Sequence, residues 1–351
     1  MNRRKTKAIK VGNIGIGGEY PISIQSMLNT KNGDVNAAIE QTKELKDAGC
    51  DIVRLAVTDD ESIKVIKELK KEVMIPLVAD IQFDYKMAIA AIENGIDKVR
   101  LNPGNIGNEK RVKEVVAAAK ERNIPIRVGV NTGSVSLDIA KKYGRYSAEG
   151  LVYEATRHID ILEKCNFDDI AISLKASDVN TMIEAYRLMA KRCEYPLHLG
   201  VTEAGTAYSG TIKSAIGIGA LLADGIGDTI RVSLTDKPTG EIRAAKEILK
   251  ALDLKDIGSK LISCPTCSRC SINLIEIAAE VEKRLNKLDK NITVAVMGCV
   301  VNGPGEAKEA DLGVAGGIGE GLIIKKGEIY KKVPEDQLLD ALRYELENWS
   351  K

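Results

Sequence analysis

One repeating pattern constrains the fold of this chain more than any other feature of its sequence. Between residues 22 and 252, a short apolar run rich in β-branched residues is followed eight times by a longer segment with helical periodicity. This alternation predicts a (β/α)8 barrel, whose strands are covered on both faces and therefore have nearly continuous apolar sequences. The predicted strands span residues 22–25, 52–57, 77–81, 98–102, 126–131, 170–176, 197–202 and 229–234.

The pattern changes on either side of this region. Residues 8–20 are rich in glycine but lead into another short strand rather than a helix, which predicts a hairpin and not a dinucleotide site. After a linker over 254–260, we expect a mixed α+β domain. Its predicted elements are a helix over 271–288, a strand over 292–297, a glycine-rich turn over 313–321, a hairpin over 322–333 and a helix over 335–348. The predicted domains are therefore a TIM barrel, residues 1–253, and an α+β domain, residues 254–351.

Three cysteines of the C-terminal domain have the spacing of a metal site. Cys264 and Cys267 are separated by two residues and can hold one metal centre from a tight turn. Cys299 would complete the site from another loop. Structural zinc sites usually add a second cysteine pair or histidines, but here the third cysteine is single and neither His158 nor His198 is near it in the sequence. The spacing therefore favours an iron–sulfur cluster over zinc.

The residues alone leave the fourth ligand of this site open. Cys270 would extend the motif to Cys-x-x-Cys-x-x-Cys, the opening of a bacterial ferredoxin sequence, and Glu306 lies in the loop after Cys299. A carboxylate oxygen is a harder ligand than a thiolate and is more easily displaced from iron. With Glu306 as the ligand, a substrate oxygen could bind that iron directly.

Charged and polar residues mark the C-terminal ends of the predicted barrel strands, where TIM-barrel enzymes have their active sites. Four arginines and one lysine converge there beside few acids, and guanidinium groups bind phosphates through paired hydrogen bonds. Because buried cations without acidic partners are costly, we expect the barrel mouth to bind a polyanion. The candidate residues are Arg54, Asp80, Arg100, Asn102, Arg127, Asn131, Lys175, Glu203, Arg231 and Ser233.

Two of these residues offer catalytic chemistry. Lys175 on the sixth strand could form a Schiff base with a carbonyl substrate, since neighbouring cations would favour its neutral form. Glu203, at the end of the seventh strand, is the candidate general acid or base. The residues thus leave three hypotheses: an iron–sulfur reductase, a carbonyl lyase with a zinc-stabilised appendage, and a non-catalytic redox sensor.

The overall composition argues against several partners. The chain has 51 lysines and arginines against 50 acidic residues, with 4% aromatic residues, which disfavours nucleic-acid binding through bulk charge or base stacking. No apolar run reaches the length of a membrane span, and the basic N-terminus is not followed by the apolar segment of a secretory signal. Seven cysteines without such a signal predict a cytoplasmic protein.

Short motifs over nearly the whole chain form a recognisable set. They are Gln25-Ser26-Met27, Ala79-Asp80-Ile81, Arg100-Leu101-Asn102-Pro103-Gly104-Asn105-Ile106-Gly107, Gly129-Val130-Asn131, Ser173-Leu174-Lys175-Ala176-Ser177, His198-Leu199-Gly200-Val201-Thr202-Glu203-Ala204-Gly205, Arg231-Val232-Ser233, Cys264-Pro265-Thr266-Cys267 and Asn302-Gly303-Pro304-Gly305-Glu306. The last two are highly specific in combination. With them the chain resembles the 4-hydroxy-3-methylbut-2-enyl diphosphate synthases, oxidoreductases of the methylerythritol phosphate route to isoprenoids, in their shorter bacterial two-domain form.

The resemblance implies a reductive ring opening of 2-C-methyl-D-erythritol 2,4-cyclodiphosphate to 4-hydroxy-3-methylbut-2-enyl diphosphate, with loss of water. The ligands of that family correspond here to Cys264, Cys267, Cys299 and Glu306, which would hold a [4Fe–4S] cluster with one iron open to the substrate. Reduced flavodoxin or ferredoxin would supply single electrons, the arginines would hold the diphosphate, and Glu203 would handle a proton. The family also suggests a homodimer in which the cluster domain of one subunit covers the barrel mouth of the other.

Two positions depart from the family pattern. Gln82 stands where the family usually has a histidine, and a glutamine can form hydrogen bonds but cannot carry a charge. Cys267 is followed by Ser268, Arg269 and Cys270, where the family usually continues with Gly-Arg. The extra Cys270 therefore either competes as a ligand or plays no part in the site.

Overall fold

The computed structural model describes residues 3–255, 258–288, 290–301 and 303–349 of the chain. The chain divides into two compact units, residues 1–255 and residues 256–351. The predicted boundary after residue 253 lies two residues before this division. None of the described helices is long and apolar enough to cross a membrane.

The first unit starts with the predicted hairpin and continues as a barrel. The hairpin consists of the antiparallel strands β1 (Ile9–Val11) and β2 (Ile14–Ile16). The barrel strands are β3 (Ser23–Met27), β4 (Ile52–Val57), β5 (Leu77–Ile81), β6 (Lys98–Leu101), β7 (Ile126–Asn131), β8 (Ile170–Lys175), β9 (His198–Leu199) and β10 (Thr229–Ile230). They pair in the order β8, β7, β6, β5, β4, β3, β10, β9, all in parallel. A parallel bridge between Ile172 and Leu197 joins the two ends of this order, which confirms the predicted barrel.

Helices follow every barrel strand. They are α1 (Val35–Asp47), α2 (Asp60–Glu72), α3 (Tyr85–Glu93), α4 (Pro103–Ile106), α5 (Glu109–Glu121), α6 (Leu137–Tyr143), α7 (Ala148–Lys164), α8 (Val179–Arg192), α9 (Ala207–Ala223) and α10 (Pro238–Ala251). Six of the longer helices start after an Asp, Asn or Ser whose side chain accepts a hydrogen bond from the first turn. The short helices α4 and α6 are additional to the eight predicted units and lie in the loops after β6 and β7.

The hairpin closes the N-terminal end of the barrel. Its side chains Ile9, Val11 and Ile16 are buried in one apolar cluster. The other buried members of this cluster are Ile52, Val78 and Ala171, each the first or second residue of its barrel strand. The loops at the opposite, C-terminal end are therefore left to form the functional face, as expected for a TIM barrel.

The second unit has a mixed sheet of five strands, in agreement with the predicted α+β domain. The strands are β11 (Lys260–Ser263), β12 (Thr293–Met297), β13 (Leu312–Gly316), β14 (Glu320–Lys325) and β15 (Glu328–Pro334), and they are adjacent in this order. The first three are parallel, and β14 and β15 are antiparallel to their neighbours. The helices are α11 (Leu274–Leu285), α12 (Gly303–Glu306) and α13 (Leu338–Glu347). Side chains of α11 and α13 form one core with those of β12, β13 and β14.

Two sequence predictions in this unit are wrong. Strand β11 is absent from the prediction, and the glycine-rich segment 313–321, predicted as a turn, lies largely in β13 and β14. Packing explains these glycines, because a Cβ on Gly316 would lie 2.6 Å from Ile272 and one on Gly321 would lie 2.6 Å from Leu338. Glycine lets these core side chains approach the strands closely.

Candidate functional site

Two arginines share one buried carboxylate inside the barrel. Asp80 on β5 lies 3.2 Å from a guanidinium nitrogen of Arg100 on β6 and 3.8 Å from Nε of Arg54 on β4. Arg100 also donates to the carbonyl of Gly129 at 2.8 Å. Burial raises the pKa of Asp80, but the attraction of Arg54 and Arg100 outweighs it and holds that pKa below its usual value. The carboxylate therefore stays ionised and orients both guanidinium groups.

Three further candidate cations lie close to this pair. Arg127 on β7 is fully buried, and none of its three guanidinium nitrogens has a hydrogen-bond partner among the residues that the structure describes. Lys175 ends β8, and burial together with Arg54 and other cations holds its pKa well below the usual value. Arg231 follows β10, and its guanidinium lies 3.5 Å from Glu241 of α10. Its Nε has no hydrogen-bond partner in the described part of the chain. The barrel thus carries more positive charge than its own acids balance.

The predicted neutral residues occupy the same end of the barrel. Asn102 is buried directly after β6, and its side-chain oxygen accepts a hydrogen bond from the backbone N–H of Gly129 at 3.0 Å. The side-chain oxygen of Asn131, at the end of β7, is buried and has no hydrogen-bond partner within the described ranges. Ser233 is half-buried in the segment after β10. Asn131 is therefore available to a ligand, whereas Asn102 fixes the backbone between β6 and β7.

Glu203 lies in the loop after β9 with an exposed side chain. Its φ of 53° is in the left-handed region, which a glutamate adopts only when the surrounding structure imposes it. Gly205, with a φ of 113°, follows in the same loop. Backbone strain of this kind is often found where a side chain must be held for function.

A second buried pair positions the loop after β6. His158 of α7 accepts a hydrogen bond at Nδ1 from the backbone N–H of Gly104, and its Nε2 lies 3.2 Å from Glu154. The Ser136 hydroxyl donates to the other oxygen of Glu154 at 2.6 Å. Burial raises the pKa of Glu154, but the hydrogen bonds from His158 and Ser136 lower it to about 2. This pair fixes α4 directly beyond Asn102.

Four interior residues were not among the predicted site residues: Gln25, Lys98, His198 and Glu241. Glu241 accepts from the Ser26 hydroxyl at 2.9 Å and contacts Arg231, so it has a positioning role. Lys98 is two residues before Arg100, and side chains two apart on a strand share a face. That spacing could have identified Lys98 from the sequence. Glu241 lies on a helix, and no signal in the sequence connects it with the barrel strands.

The candidate metal ligands lie at one edge of the sheet in the second unit. Cys264 directly follows β11, and Cys299 is two residues beyond the end of β12. Because β11 and β12 are parallel neighbours, both cysteines lie at the same carboxyl edge. The backbone N–H of Gly298 donates to the Cys264 sulfur at 3.2 Å, which ties the two loops together. Glu306 is at the end of α12.

A cavity of about 160 Å³ brings these residues together. Its lining includes the three predicted thiols and the predicted carboxylate: Cys264, Cys267, Cys299 and Glu306. Zinc ligands converge on a single point about 2.0–2.3 Å away. Among the described residues, no three or more His, Cys, Asp or Glu side chains converge closely enough to hold a single metal ion. Thiols and a carboxylate are ligand types that iron–sulfur clusters accept, so the lining is compatible with the iron–sulfur interpretation of the sequence.

The environment of the sulfurs supports this interpretation. Hydrogen bonds from the backbone and side chain of Arg269 lower the pKa of the Cys267 thiol, which favours the thiolate that binds metals. Cys270 instead donates a hydrogen bond to the carbonyl of Ile272 and packs against the core of its unit. It does not line the cavity. Glu306 therefore lines the cavity together with the three cysteines, whereas Cys270 does not.

Comparison with known proteins gives the family. Residues 6–246 match the GcpE TIM-barrel domain, and residues 260–348 match the GcpE protein C-terminal domain. The chain belongs to the GcpE family. The two family domains cover nearly the whole chain and meet between residues 246 and 260, where the structure also divides it.

Relatives in the GcpE family are similar over almost their full length. Proteins from Ruminiclostridium cellulolyticum and Clostridium perfringens are 58% and 59% identical to this chain. The alignments cover 99% and 97% of this chain, respectively, and 98% of each relative. A protein from Geobacter sulfurreducens is 57% identical, over 98% of both chains. All three are named 4-hydroxy-3-methylbut-2-en-1-yl diphosphate synthase (flavodoxin).

Solved structures with more distant sequences share the barrel fold with this GcpE-family chain. Dihydropteroate synthase from Stenotrophomonas maltophilia aligns with a TM-score of 0.52 and 14% identity, over 71% of this chain and 98% of that chain. 3-Dehydroquinate dehydratase from Geobacillus kaustophilus aligns with a TM-score of 0.51 and 16% identity, over 71% of this chain and 99% of that chain. At these identities the likeness concerns the fold alone.

Gln82, where the GcpE family resemblance led us to expect a histidine, is exposed in the turn after β5. It directly follows Ile81, the last residue of that strand, and is two residues from Asp80. A glutamine there can still donate and accept hydrogen bonds at the barrel mouth, but it cannot relay a proton as an imidazole does. Asn302, part of the motif that ends at Glu306, lies outside the described residues.

Proposed function

We propose that this GcpE-family protein converts 2-C-methyl-D-erythritol 2,4-cyclodiphosphate to 4-hydroxy-3-methylbut-2-enyl diphosphate by reductive ring opening and loss of water. This is a synthase activity of the kind named for its relatives. One observation carries the proposal: the same chain combines an arginine-rich barrel with a cavity lined by three thiols and a carboxylate. The first feature suits a diphosphate, and the second suits a redox cofactor.

The diphosphate is bound by the barrel-facing cations. Arg54 and Arg100 are already oriented by Asp80, so little side-chain entropy is lost when they form paired hydrogen bonds to phosphate oxygens. The guanidinium of Arg127 has no hydrogen-bond partner among the described residues, and its positive charge would attract the anion. Binding therefore compensates charges that are costly in the empty barrel. The remaining proposed contacts are Asn102, Asn131, Lys175, Arg231 and Ser233.

The cavity of the second unit would hold a [4Fe–4S] cluster. Its proposed ligands are Cys264, Cys267, Cys299 and Glu306. When bound, the cluster supplies single electrons and a Lewis-acidic iron at the position of the carboxylate ligand. The hydrogen bond from the N–H of Gly298 to the Cys264 sulfur would hold that ligand in position.

Glu203 supplies the proton that the loss of water requires. A leaving hydroxyl departs as water only when it is protonated, and a carboxyl group held in the loop after β9 can donate that proton. The side chain is exposed, so solvent can reprotonate it between turnovers. Its left-handed backbone conformation is the kind of strain that is often found at functional residues.

The reaction also requires a partner that delivers electrons singly. Reduced flavodoxin, named for the relatives, is the proposed donor, and ferredoxin is the alternative. We further propose a cytoplasmic homodimer, since a second copy of the chain can bring a cluster unit to a barrel mouth. Neither nucleic acid nor a membrane has a role in this scheme.

The deciding experiment measures iron and sulfide in anaerobically purified protein, with electron paramagnetic resonance of the reduced protein before and after addition of the cyclic diphosphate. About four irons and four sulfides per chain are expected, with a signal that the substrate changes. Zinc without sulfide would contradict the proposal. That result would favour the alternative in which Lys175 forms a Schiff base, and borohydride trapping with a carbonyl substrate would then test for it.

A further inference from the structure

Two barrel-facing groups have no role in the proposed mechanism. Lys98 is the first residue of β6, two residues before Arg100 and therefore on the same face of the strand. His198 is the first residue of β9. The Lys98 amine and both imidazole nitrogens of His198 are buried and have no hydrogen-bond partner in the part of the chain that the structure describes. A buried amine and imidazole without partners need an explanation.

Neither group has room for a compensating ligand in this state. Lys98 and His198 are both 0% exposed, so no water-sized space adjoins them. A charged ammonium with neither a partner nor water would be very costly, which leaves the neutral form. The barrel interior holds these groups together with other titratable side chains from β4 to β8, from the segment after β10 and from α8. They are Arg54, Asp80, Arg100, Arg127, Lys175, Arg231 and Tyr186.

The neighbouring positive charges also favour the neutral forms of Lys98 and His198. Burial, followed by the repulsion of Arg127 and Arg54, holds the pKa of Lys98 well below its usual value. Burial, followed by Arg127 and Lys175, does the same to the pKa of His198. The positive charges of the arginines thus keep protons off both groups. A dianion placed among those arginines would cancel that repulsion.

We propose that Lys98 and His198 are neutral in the ligand-free barrel and take up protons from solvent when a diphosphate binds among the arginines. This inference rests on the proposed diphosphate site and deepens it. The two residues carry a positive charge only in the complex. The ligand-free barrel therefore avoids two further uncompensated charges, while the complex gains their attraction for the phosphate oxygens.

The sign of the pH dependence follows from this linkage. At a pH above the pKa of these groups in the free protein and below their pKa in the complex, binding of one diphosphate adds protons to the protein. Affinity therefore falls as pH rises, by roughly tenfold per pH unit for each linked proton. The cyclic diphosphate contributes no proton itself, because each of its phosphorus atoms is esterified and keeps a single negative charge near neutral pH.

The test is isothermal titration calorimetry of the cyclic diphosphate with the anaerobic holoenzyme and no reductant, so that the ligand binds without turnover. Titrations in buffers of different ionisation enthalpy, between about pH 7 and pH 9, give the number of protons taken up. We expect net proton uptake by the wild-type protein. Lys98→Met should take up fewer protons and show a shallower dependence of Kd on pH, whereas Lys110→Met, at an exposed lysine of α5, should match the wild type.

Each result has a distinct meaning. Binding without net proton uptake by the wild-type protein would overturn this inference and leave the proposed function standing. Proton uptake that Lys98→Met and His198→Gln both leave unchanged would also overturn it. No binding of the cyclic diphosphate at all would overturn the proposed substrate site and this inference with it. If one variant fails to fold, the wild-type titration and the other variant still test the inference.

Discussion

The loop after β9 holds an exposed carboxylate on a constrained backbone, and this makes Glu203 a specific target. We expect Glu203→Gln to keep its fold and its iron content, because the amide has the same shape and the residue is not a metal ligand. Turnover should fall by about 10²–10⁴-fold, the range for loss of a general acid. Steady-state assays with reduced flavodoxin and iron analysis of the same sample would measure both. Full turnover of the variant would remove Glu203 from the mechanism.

The two nearby cysteines Cys270 and Cys299 should respond differently to the same substitution. Cys299 lines the cavity, so Cys299→Ser should lose most of the bound iron and sulfide. Cys270 donates to the carbonyl of Ile272 and does not line the cavity, so Cys270→Ser should retain the iron and most of the activity. Iron and sulfide analysis of the two variants, purified side by side without oxygen, provides the measurement. Loss of iron from the Cys270→Ser variant would indicate that Cys270 is a ligand.

At the scale of whole elements, the N-terminal hairpin closes the barrel by apolar packing alone. Ile16 of β2 is fully buried against the N-terminal ends of the barrel strands. We expect Ile16→Ala to reduce the free energy of unfolding by about 2–5 kcal/mol, through lost burial and the cavity left behind. Urea denaturation followed by circular dichroism would measure this.

A matched control for that prediction lies on α9. Ile216 is 55% exposed, so Ile216→Ala removes the same atoms from the surface and should change the free energy of unfolding by less than about 0.5 kcal/mol. Equal effects of the two substitutions would show that the hairpin does not contribute to the stability of the barrel.

The same elements show how far sequence alone leads. The barrel strands were predictable because burial on both faces gives each a continuous apolar run. Strand β11 has no such run, because its four residues are half-buried or exposed. The glycines of β13 and β14 were misassigned, since their requirement comes from Ile272 and Leu338, which approach them only in the folded chain. Strand periodicity and turn residues are local signals, whereas these contacts are not.

The candidate site residues also divide into those that the sequence indicates and those that only the folded structure reveals. The cysteines and the strand-end arginines could be proposed from the sequence because their residue types and positions are informative by themselves. The family resemblance favours Glu306 over Cys270 as the fourth ligand, and only the folded turn shows the Cys270 sulfur bonded to Ile272 and packed against the core. The role of Glu241 depends on the packing of α10 against β3, where its carboxylate meets the Ser26 hydroxyl. Chemistry carried by a motif is visible in the sequence, but chemistry that depends on packing between distant segments is not.

At the scale of the whole molecule, the proposed substrate residues and the proposed cluster ligands belong to different compact units of the chain. The reaction needs both, and the family resemblance predicts that they meet across a homodimer. Complementation between two inactive variants tests this prediction directly. Glu203→Gln damages only the barrel unit, and Cys299→Ser damages only the C-terminal unit.

The two variants would be co-expressed with different affinity tags, and the mixed dimer isolated by two successive purifications. If a barrel works with the cluster of its partner, the mixed dimer has one intact combination, and we expect about half of the wild-type activity. If each barrel works with the cluster of its own chain, both combinations are damaged and the mixed dimer stays inactive. Recovery of no mixed dimer at all would contradict the proposed homodimer. Because each variant alone is inactive by a different route, restored activity can come only from cooperation between subunits.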